Sequence, residues 1–567
     1  MKKISYLFLP LLLFAFTSEL LAQAPKWMDK ARQSVFSVVT FDAEGNVKGN
    51  GNAFFVSEDG VALSDYNLFR GASRAVAIST QGQQLPVACI LGANDLFDVI
   101  KFKVEVAKKV TPLPIAQTQP TEGATIYLLP YSTQKSRTYT QGTLQAIDKA
   151  TGDYGFYTLA LPLKEKMVSC PLMTANGEVF GLAQRASGPD TATTSYAMDA
   201  RYAMDLKITP LSLMDHTLQS IAIRKALPDT EEEALITLYM ASTQLTADRY
   251  MALLDDFIAQ YPQSADGYMR RASQRMFMGT DEASMKLIEQ DMDQALQVGS
   301  KPDEVRYNRS RLIYNYLING HSGYKDWSYT KALDEINQAI ATNPLPMYKQ
   351  LVGDICFADQ KYADALKAYE EVNQTNLASP STFYSAAKTK ELLEAPAEEV
   401  LALLDSCVVR FTTPYTSEAA PYLLERAQAR MNAKQARGAV ADFDAYFEAS
   451  KGQVNDLFYS FRAQAALQSR QFQRALDDWT KAIEINPKEL TYRAELAVVN
   501  IRVGRNEEAI KQLQEALSID ANYAEAYRLM GLAYVQMKKK EEARKHFEKA
   551  KTLGAPDIDA LIEKHCK

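Results

Sequence analysis

Histidine and cysteine are scarce in this chain, which has four histidines and five cysteines among its 567 residues. The cysteines are Cys89, Cys170, Cys356, Cys407 and Cys566. Their number is odd and none belongs to a Cys-x-x-Cys pair, so they provide neither a disulfide framework nor a zinc site. The sequence also has no phosphate-binding loop and no carboxylate pair typical of a glycosidase. We therefore predict no metal and no cofactor.

An excess of charge of one sign is missing as well. The chain has 63 basic and 69 acidic residues, and its formal net charge is −6. Because a nucleic-acid backbone attracts clustered Lys and Arg, we predict no nucleic-acid partner. After its first residues the chain has no apolar run that approaches the ~18 residues of a membrane-spanning helix. We therefore predict no integral membrane segment in the mature protein.

The N-terminus has the pattern of a secretory signal peptide. A basic start at Met1–Lys3 is followed by an apolar run over Ile4–Phe16, and small residues stand at Ala22 and Ala24. This order of basic, apolar and small residues is typical of a cleaved export signal. Cleavage after Ala22 is favoured, because cleavage after Ala24 would leave a proline first. We predict a signal peptide over residues 1–22 and an exported, soluble mature protein that is periplasmic or secreted.

A small, a large and a second small apolar residue recur together near the C-terminus with a period of 34 residues. The three sets are Ala475, Trp479 and Ala482; Ala509, Leu513 and Ala516; and Ala543, Phe547 and Ala550. This period is typical of tetratricopeptide repeats, in which each unit is a pair of antiparallel helices. Their motif is met in the last unit by Tyr527, Met530, Gly531, Tyr534, Ala543 and Phe547. The C-terminal part thus resembles a tetratricopeptide array.

We predict that residues 229–567 form an all-α repeat solenoid of about nine helix pairs. In such arrays the first helix of each pair lines the concave surface, where a protein or peptide partner binds. The register predicts these surface residues: Gln464, Gln468, Val498, Arg502, Arg528 and Gln536. Chaperone-binding repeats resemble this array but need a lysine and an asparagine four residues apart. Ser460/Gln464 and Ala494/Val498 stand there instead, so we do not predict that ligand class.

Short β-type runs separated by turns fill the chain before the repeats. These runs are Val35–Phe41, Gly51–Val56, Arg74–Ser79, Ile126–Leu129, Tyr154–Leu159 and Glu178–Ala183. Several short strands at close spacing are typical of an all-β barrel or sandwich. We predict a β domain over residues 26–210 and a connector over residues 211–228.

Four segments of this β region resemble, in the same order, the HtrA-type trypsin-like serine proteases. They are Gly51–Gly60, Ala93–Lys101, Gly123–Tyr127 and a strand pair formed by Cys170–Leu172 and Gly177–Gly181. The resemblance implies a trypsin-like double barrel. The peptide-binding domain that usually follows this barrel in the family is absent, and the repeats take its place.

The resemblance also implies where a catalytic triad would stand. The family's serine attacks a carbonyl, its histidine takes the proton and its aspartate orients the histidine. The histidine position holds Asn67, the aspartate position keeps Asp98 and the serine position holds Val168. An amide is no base near neutral pH, and Lys166 replaces a glycine of the oxyanion hole. We therefore predict a pseudoprotease without catalytic residues.

A displaced nucleophile is the alternative to this interpretation. Ser169 or Cys170 would need a base, but no histidine lies in the barrel segment. The four histidines are His216, His321, His546 and His565. A Ser–Lys dyad with Lys164 or Lys166 is conceivable, although nothing in the spacing favours it.

Two functions follow from these patterns. Our leading hypothesis is an exported protein–protein interaction scaffold, and the alternative is an exported serine-type endopeptidase whose repeats recruit substrate. An inactive barrel would either bind extended peptide by strand addition or cap the repeats. The sequence predicts neither the oligomeric state nor the identity of the partner.

Overall fold

The computed structural model describes residues 25–134, 138–184 and 193–566. The chain divides into two compact units, which meet in sequence between Gln274 and Arg275. The predicted signal peptide lies outside the described residues. The domain limits that we drew from the sequence stay predictions.

The first unit contains two closed antiparallel β-barrels of six strands each. The first barrel has β1 (Val35–Phe41), β2 (Val47–Phe55), β3 (Val61–Ser64), β4 (Arg74–Ile78), β5 (Gln84–Asn94) and β6 (Val99–Val104). The second has β7 (Thr125–Leu128), β8 (Thr140–Thr151), β9 (Tyr154–Ala160), β10 (Pro171–Met173), β11 (Val179–Gln184) and β12 (Thr194–Asp199). Hydrogen bonds connect them in the orders β1-β2-β3-β6-β5-β4 and β10-β11-β12-β9-β8-β7. The predicted trypsin-like double barrel is confirmed.

Side chains of the first barrel alternate between its interior and the seam with the second barrel. Phe36 and Phe55 lie in the interior, whereas Val35 and Phe54 lie in the seam, where they share a core with Met173 of the second barrel. Successive residues of a strand point to opposite faces, and here both faces are buried. This is why β1 is an almost continuous apolar run.

Four short helices accompany the barrels. They are α1 (Met28–Ala31), α2 (Tyr66–Phe69), α3 (Ala200–Asp205) and α4 (His216–Gln219). Helix α2 begins directly after β3, and its first turn is capped by Asp65, whose side chain accepts a hydrogen bond from the Leu68 N–H. The cap fixes the loop that carries Asn67.

The segment predicted as a connector packs onto the first barrel. The Ile90 N–H donates to the Arg224 carbonyl at 2.8 Å, and the Ala226 N–H donates back to the Ile90 carbonyl at 2.9 Å. Three apolar side chains of the segment belong to the core of the first barrel: Leu218, Ile221 and Ile223. The segment therefore completes this core.

Helices make up the rest of the chain. They are α5 (Glu231–Ala241), α6 (Ala247–Gln260), α7 (Ala265–Met278), α8 (Glu282–Val298), α9 (Pro302–Ile318), α10 (Tyr329–Thr342), α11 (Pro346–Ala358), α12 (Tyr362–Asn373), α13 (Pro380–Leu392), α14 (Ala397–Val408), α15 (Ala420–Asn432), α16 (Ala436–Ala449), α17 (Asp456–Gln468), α18 (Phe472–Ile485), α19 (Leu490–Arg502), α20 (Asn506–Ile519), α21 (Ala524–Gln536), α22 (Lys540–Thr552) and α23 (Ile558–His565). Helices α9 to α22 pack as consecutive hairpins, which confirms the predicted solenoid. In the part of the chain that the structure describes, no helix combines the length and apolarity needed to cross a membrane.

The 34-residue pattern of the sequence corresponds to the contacts inside and between these hairpins. The alanines of the pattern are fully buried, and the large residues between them are buried as well: Trp479, Leu513 and Phe547. Small side chains let the helix axes approach, and the large side chain fills the space between them. In the repeats, apolar side chains thus pack within each hairpin and against the neighbouring hairpin.

Gly531 of α21 lies directly against the Phe547 ring of α22, which leads to a first prediction. A Cβ atom at Gly531 would lie 2.5 Å from Cδ1 of the Phe547 ring. Alanine gains about 1 kcal/mol of helix propensity over glycine, but overpacking a core costs about 1–3 kcal/mol. We expect Gly531→Ala to lower the thermal midpoint of the chain, measured by circular dichroism.

Gly438 of α16 is the matched control, because a Cβ atom there would meet only the flexible side chain of Arg430, at 3.1 Å or more. Gly438→Ala is expected to leave the midpoint unchanged or to raise it. Equal midpoints for the two variants would mean that Phe547 moves aside freely, and the prediction would then be wrong.

Candidate functional site

The three positions predicted for a triad lie in three loops of the double barrel. Asn67 is exposed in the first turn of α2, and Asp98 is half-buried directly before β6. The Asn67 N–H donates to Oδ1 of Asp98 at 2.8 Å. Val168 follows a 3-10 turn over Glu165–Met167 and precedes β10. The structure thus brings Asn67 and Asp98 into contact through a main-chain hydrogen bond.

Asn52 of β2 connects the first barrel to the loop that carries Val168. Its side-chain nitrogen donates to the carbonyl oxygens of Lys166 and Val168, both at 2.9 Å. The main-chain carbonyl of Asn52 accepts a hydrogen bond from the Ser64 hydroxyl at 2.7 Å. These contacts fix the orientation of the 166–168 backbone from the side of the first barrel.

A second connection runs between Asp65 and Ser169. The Ser169 hydroxyl donates to Oδ1 of Asp65 at 2.5 Å, while Oδ2 of Asp65 accepts the Leu68 N–H at 2.9 Å. Ser169 adopts a left-handed φ of 63°, a conformation that glycine adopts without strain. The hydrogen bonds of Asn52 and Asp65 together join the two barrels at the position of the predicted active site. We call this set of contacts the clasp.

The main-chain N–H groups of the 166–168 loop occupy the positions of the oxyanion hole. In trypsin-like chemistry the oxyanion of the tetrahedral intermediate is bound by the N–H groups at the positions of Lys166 and Val168. Here the Val168 N–H donates to the Glu165 carbonyl at 3.3 Å, inside the 3-10 turn. A donor that closes a turn does not point at a substrate carbonyl. The loop conformation described here therefore lacks one oxyanion donor.

The two displaced nucleophiles that the sequence left open are both inaccessible. Ser169 is 1% exposed and Cys170 is fully buried. Burial also raises the pKa of the Cys170 thiol well above its ordinary value, and the thiolate rather than the thiol is the nucleophile. Lys164 and Lys166 are both exposed to solvent. In this conformation neither Ser169 nor Cys170 can reach a substrate.

Sequence reasoning missed Asn52 and Asp65 as members of this site. Asn52 lies inside the Gly51–Gly60 motif, and Asp65 lies two residues before Asn67. A signal was available for Asp65, because an aspartate before a short helix is a common N-cap. No sequence signal indicated that its second oxygen accepts a hydrogen bond from a residue 104 positions later.

The Asp65 carboxyl leads to a pH-dependent prediction. Burial raises the pKa of this carboxyl above its ordinary value. The hydrogen bond from Ser169 lowers the pKa, and the negative charge of Asp98 raises it. A carboxyl with a raised folded pKa stabilises the fold below its unfolded pKa of about 3.9, and this contribution is lost as the pH rises through the folded pKa. An Asn side chain can accept the Leu68 N–H with its oxygen and donate to the Ser169 hydroxyl oxygen with its amide nitrogen. We expect Asp65→Asn to have a thermal midpoint at least equal to that of the wild type at neutral pH, with the difference shrinking toward about pH 4.

Asp42 provides a control of opposite sign. It is half-buried, and the Asn46 N–H, which donates to Oδ1 at 2.8 Å, lowers the pKa of its carboxyl. Asp42→Asn should therefore lose stability at neutral pH, with a difference that shrinks as the pH falls through the folded pKa. If Asp65→Asn loses stability relative to the wild type as the pH rises, our account of Asp65 is contradicted.

The predicted partner-binding residues of the repeats are mostly accessible. Gln464 and Gln468 are exposed on α17, Arg502 is exposed at the end of α19, and Gln536 is exposed at the end of α21. Arg528 is half-buried and pairs with Glu525 of its own helix, with Nη2 and Oε1 2.5 Å apart. Val498 is half-buried as well. Their role in binding stays a prediction.

Two exposed apolar residues accompany these glutamines on α17. Leu457 is 51% exposed and Phe461 is 40% exposed. Residues 457, 461, 464 and 468 are spaced so that they share one helix face. We call Leu457, Phe461, Gln464 and Gln468 the α17 face. Sequence reasoning missed its apolar half.

An acidic pair lies on the following first helices. Burial raises the pKa of Glu495 in α19, and the negative charge of Glu525 in α21 adds to this, whereas Arg502 opposes it. Glu525 already pairs with Arg528, whereas Glu495, whose pKa the Glu525 charge raises, would gain from a nearby cation. The repeats thus present apolar and acidic side chains on α17, α19 and α21.

Comparisons with known families agree with this architecture. Residues 51–182 match a family model described as a trypsin-like peptidase domain. Residues 502–538 match a model described as a TPR repeat, and residues 524–553 match one described as a tetratricopeptide repeat. The chain therefore carries a trypsin-like peptidase domain followed by tetratricopeptide repeats.

Similar proteins share only part of this chain. It is 33% identical over 90 residues to the DnaJ homolog subfamily C member 7 homolog of Dictyostelium discoideum, a match that covers 15% of this chain and 17% of that protein. It is 33% identical over 99 residues to the TPR repeat-containing thioredoxin TTL4 of Arabidopsis thaliana, covering 17% and 14%. The chain thus spans less than a fifth of the length of these two relatives. Among solved structures, the active form of the Rv3671c protease from M. tuberculosis matches 32% of this chain and 82% of that one, with 18% identity and a TM-score of 0.28.

Proposed function

We propose that this protein is an exported protein–protein interaction scaffold, in which a barrel without peptidase activity accompanies a repeat array that binds a protein partner. The observation that carries the proposal is the α17 face, where exposed Leu457 and Phe461 lie beside exposed Gln464 and Gln468. Tetratricopeptide arrays bind partners on the surface formed by their first helices, and an exposed aromatic residue is a frequent anchor in an interface.

The site in the double barrel supports the absence of peptidase activity. Asn67 and Val168 provide neither a base nor a nucleophile at the positions that the resemblance assigns. The Val168 N–H donates inside its own turn, and the only hydroxyl adjacent to this position, that of Ser169, is buried against Asp65. Each of these features removes a different component of trypsin-like catalysis.

The chemistry of the repeat surface indicates the kind of partner. An apolar side chain of the partner would cover Leu457 and Phe461, and a basic side chain would face Glu495 and Glu525. The raised pKa of Glu495 fits this arrangement, because a cation beside Glu495 would offset the effects of burial and of the Glu525 charge. We propose a protein segment that combines apolar and basic residues.

Export is part of the proposal and rests on the N-terminal sequence pattern. The basic start, the apolar run and the small residues up to Ala22 support a cleaved signal peptide. N-terminal sequencing of the protein recovered from its native cells should begin at Gln23. A mature protein that begins at Met1 would refute export through a cleaved signal.

A crosslinked pull-down from the native cell envelope tests the interaction function. The bait is the full mature chain, as the wild type and as Phe461→Glu, and the recovered proteins are quantified by mass spectrometry. If the α17 face anchors a partner, the charged variant should bind that partner about 30-fold more weakly and recover correspondingly less of it, since an aromatic anchor contributes about 2 kcal/mol or more.

Phe277 provides a matched control, since it is 80% exposed and lies outside the α17 face. Phe277→Glu introduces the same charge at another exposed phenylalanine and should recover the partner as the wild type does. Equal recovery by the wild type and Phe461→Glu would place the interaction elsewhere, and equal loss in both variants would indicate a nonspecific effect of charge. Either result would contradict the proposed binding surface.

A further inference from the structure

A cavity of about 580 Å³ lies in the first unit, away from the predicted triad positions. It is bounded by the segment after Pro210 and by helices α5 and α6, and it opens to solvent. Its volume is within the range of about 300–1,000 Å³ that is usual for small-molecule sites. Neither the peptidase-like site nor the repeat surface accounts for it.

The walls of this cavity are mainly apolar. The apolar residues that line it include Leu213, Leu218, Ile223, Leu227, Met240 and Leu253. Leu218, Ile223 and Leu227 are buried in the fold and form fixed walls, whereas Leu213, Met240 and Leu253 are half-buried. An apolar wall of this kind favours an aliphatic group of a ligand over water.

The cavity is lined by more cationic than anionic side chains. Arg224, Lys225 and Arg249 line it together with a single carboxylate, Asp256. Asp256 is already paired with Arg224, with Nη2 and Oδ1 2.5 Å apart. Two cationic side chains therefore remain without a carboxylate inside the cavity.

These two cations are close enough to influence each other. The Lys225 ammonium donates to the Ile221 carbonyl of its own segment. Burial lowers the pKa of Lys225, and the positive charge of Arg249 lowers it further. Arg249 is exposed and forms no ion pair with any residue that the structure describes. An anion placed between Lys225 and Arg249 would relieve both effects.

We propose that the cavity binds a small amphipathic anion, an aliphatic carboxylate. Its acid group would pair with the guanidinium of Arg249 and the ammonium of Lys225, and its chain would lie along the apolar walls. A guanidinium matches the two oxygens of a carboxylate in a bidentate pair. The apolar walls exclude a ligand that is charged along its length, and the two cations exclude a ligand with a positive head group.

Isothermal titration calorimetry of the full mature chain with decanoate tests this proposal. We expect saturable binding of one decanoate per chain. Octanoate, which is shorter by two methylenes, should bind about 15-fold more weakly, because each buried methylene contributes a factor of about four. Decyltrimethylammonium, which has the same tail and the opposite charge, should not bind to the site. Equal binding of decanoate and decyltrimethylammonium, or no saturable binding of decanoate, would overturn the proposal.

Three variants locate the site. Arg249→Met removes an exposed cation and should weaken decanoate binding about tenfold or more. Ala252→Trp places a large ring at an exposed position that lines the cavity, and should abolish binding without disturbing the core. Lys108→Met removes an exposed cation of the first unit outside the cavity and should have no effect. Circular dichroism melts verify that each variant is folded. Undiminished binding in folded Arg249→Met and Ala252→Trp would show that decanoate binds elsewhere.

Discussion

The double variant Asn67→His/Val168→Ser is expected to remain without turnover on unfolded casein, as is the wild type. Restoring the two side chains does not restore the oxyanion donor, because the Val168 N–H donates to the Glu165 carbonyl and Lys166 occupies the glycine position. The members of a triad act as a unit, and loss of one costs about as much as loss of all, up to roughly 10⁶-fold. Casein hydrolysis and labelling by a fluorophosphonate probe measure this directly.

The controls for this prediction separate a weak peptidase from none. Ser169→Ala removes the only hydroxyl next to the predicted nucleophile position. If the wild type hydrolyses casein and Ser169→Ala does not, Ser169 is a nucleophile and the pseudoprotease interpretation is wrong. If the double variant gains turnover or becomes labelled, the loop can leave the conformation described here and the missing oxyanion donor is not decisive.

A fragment that ends at residue 210 is expected not to fold, whereas one that ends at residue 274 is expected to fold. The shorter fragment lacks three core side chains of the first barrel, namely Leu218, Ile221 and Ile223. Full burial of each contributes about 1.5–3 kcal/mol, and a whole domain is stable by only about 5–15 kcal/mol. The longer fragment ends at the limit of the first compact unit. Circular dichroism melts of the two fragments measure the difference.

The same segment can be tested in the full chain by a matched pair of variants. Ile221 is fully buried, whereas Ile236 of α5 is 46% exposed. Ile221→Ala should cost about 2–5 kcal/mol and lower the melting midpoint of the first unit, and Ile236→Ala should lower it much less. A short fragment that melts as cooperatively as the long one, or equal midpoints for the two variants, would show that the segment does not complete the barrel.

The sequence was sufficient to predict the elements whose pattern is local. Strand β1 was predicted over Val35–Phe41, as observed, because both of its faces are apolar. Strands β5 and β8 were not predicted: both are long and partly exposed, β5 is interrupted by Pro86 and Gly92, and β8 is rich in polar residues. Their position comes from pairing with β6 and β9. Such pairing leaves little trace in composition.

Contacts of long range explain what the sequence could not provide at the site. The triad positions could be read from motifs, but the hydrogen bond of Asp65 to Ser169 joins residues more than a hundred positions apart. The segment after residue 210 reads as a linker, because the hydrogen bonds that hold it connect main-chain atoms of Ile90, Arg224 and Ala226. Main-chain groups are the same in every residue, so their partners cannot be read from side chains.

The repeat surface illustrates the value and the limit of a period. Subtraction of 34 residues from Arg502 gives Gln468, and both stand exposed at the ends of their helices. The residue 34 positions after Phe461 is Glu495, which is charged and half-buried. The period therefore does not predict that an apolar side chain is exposed at position 461. A period predicts where a side chain stands, and its chemistry must be read from each repeat separately.

The clasp has an evolutionary consequence. Asn52 and Asp65 belong to the first barrel, and the groups that they bind belong to the second. A substitution that released the 166–168 loop for chemistry would leave these polar groups unpaired, and a buried group without a partner costs about 1–3 kcal/mol. If the barrel is inactive, as we propose, a substitution that frees this loop would therefore lose stability before it gained activity. A second substitution would have to pair Asn52 and Asp65 again, so the clasp would oppose a gradual gain of activity.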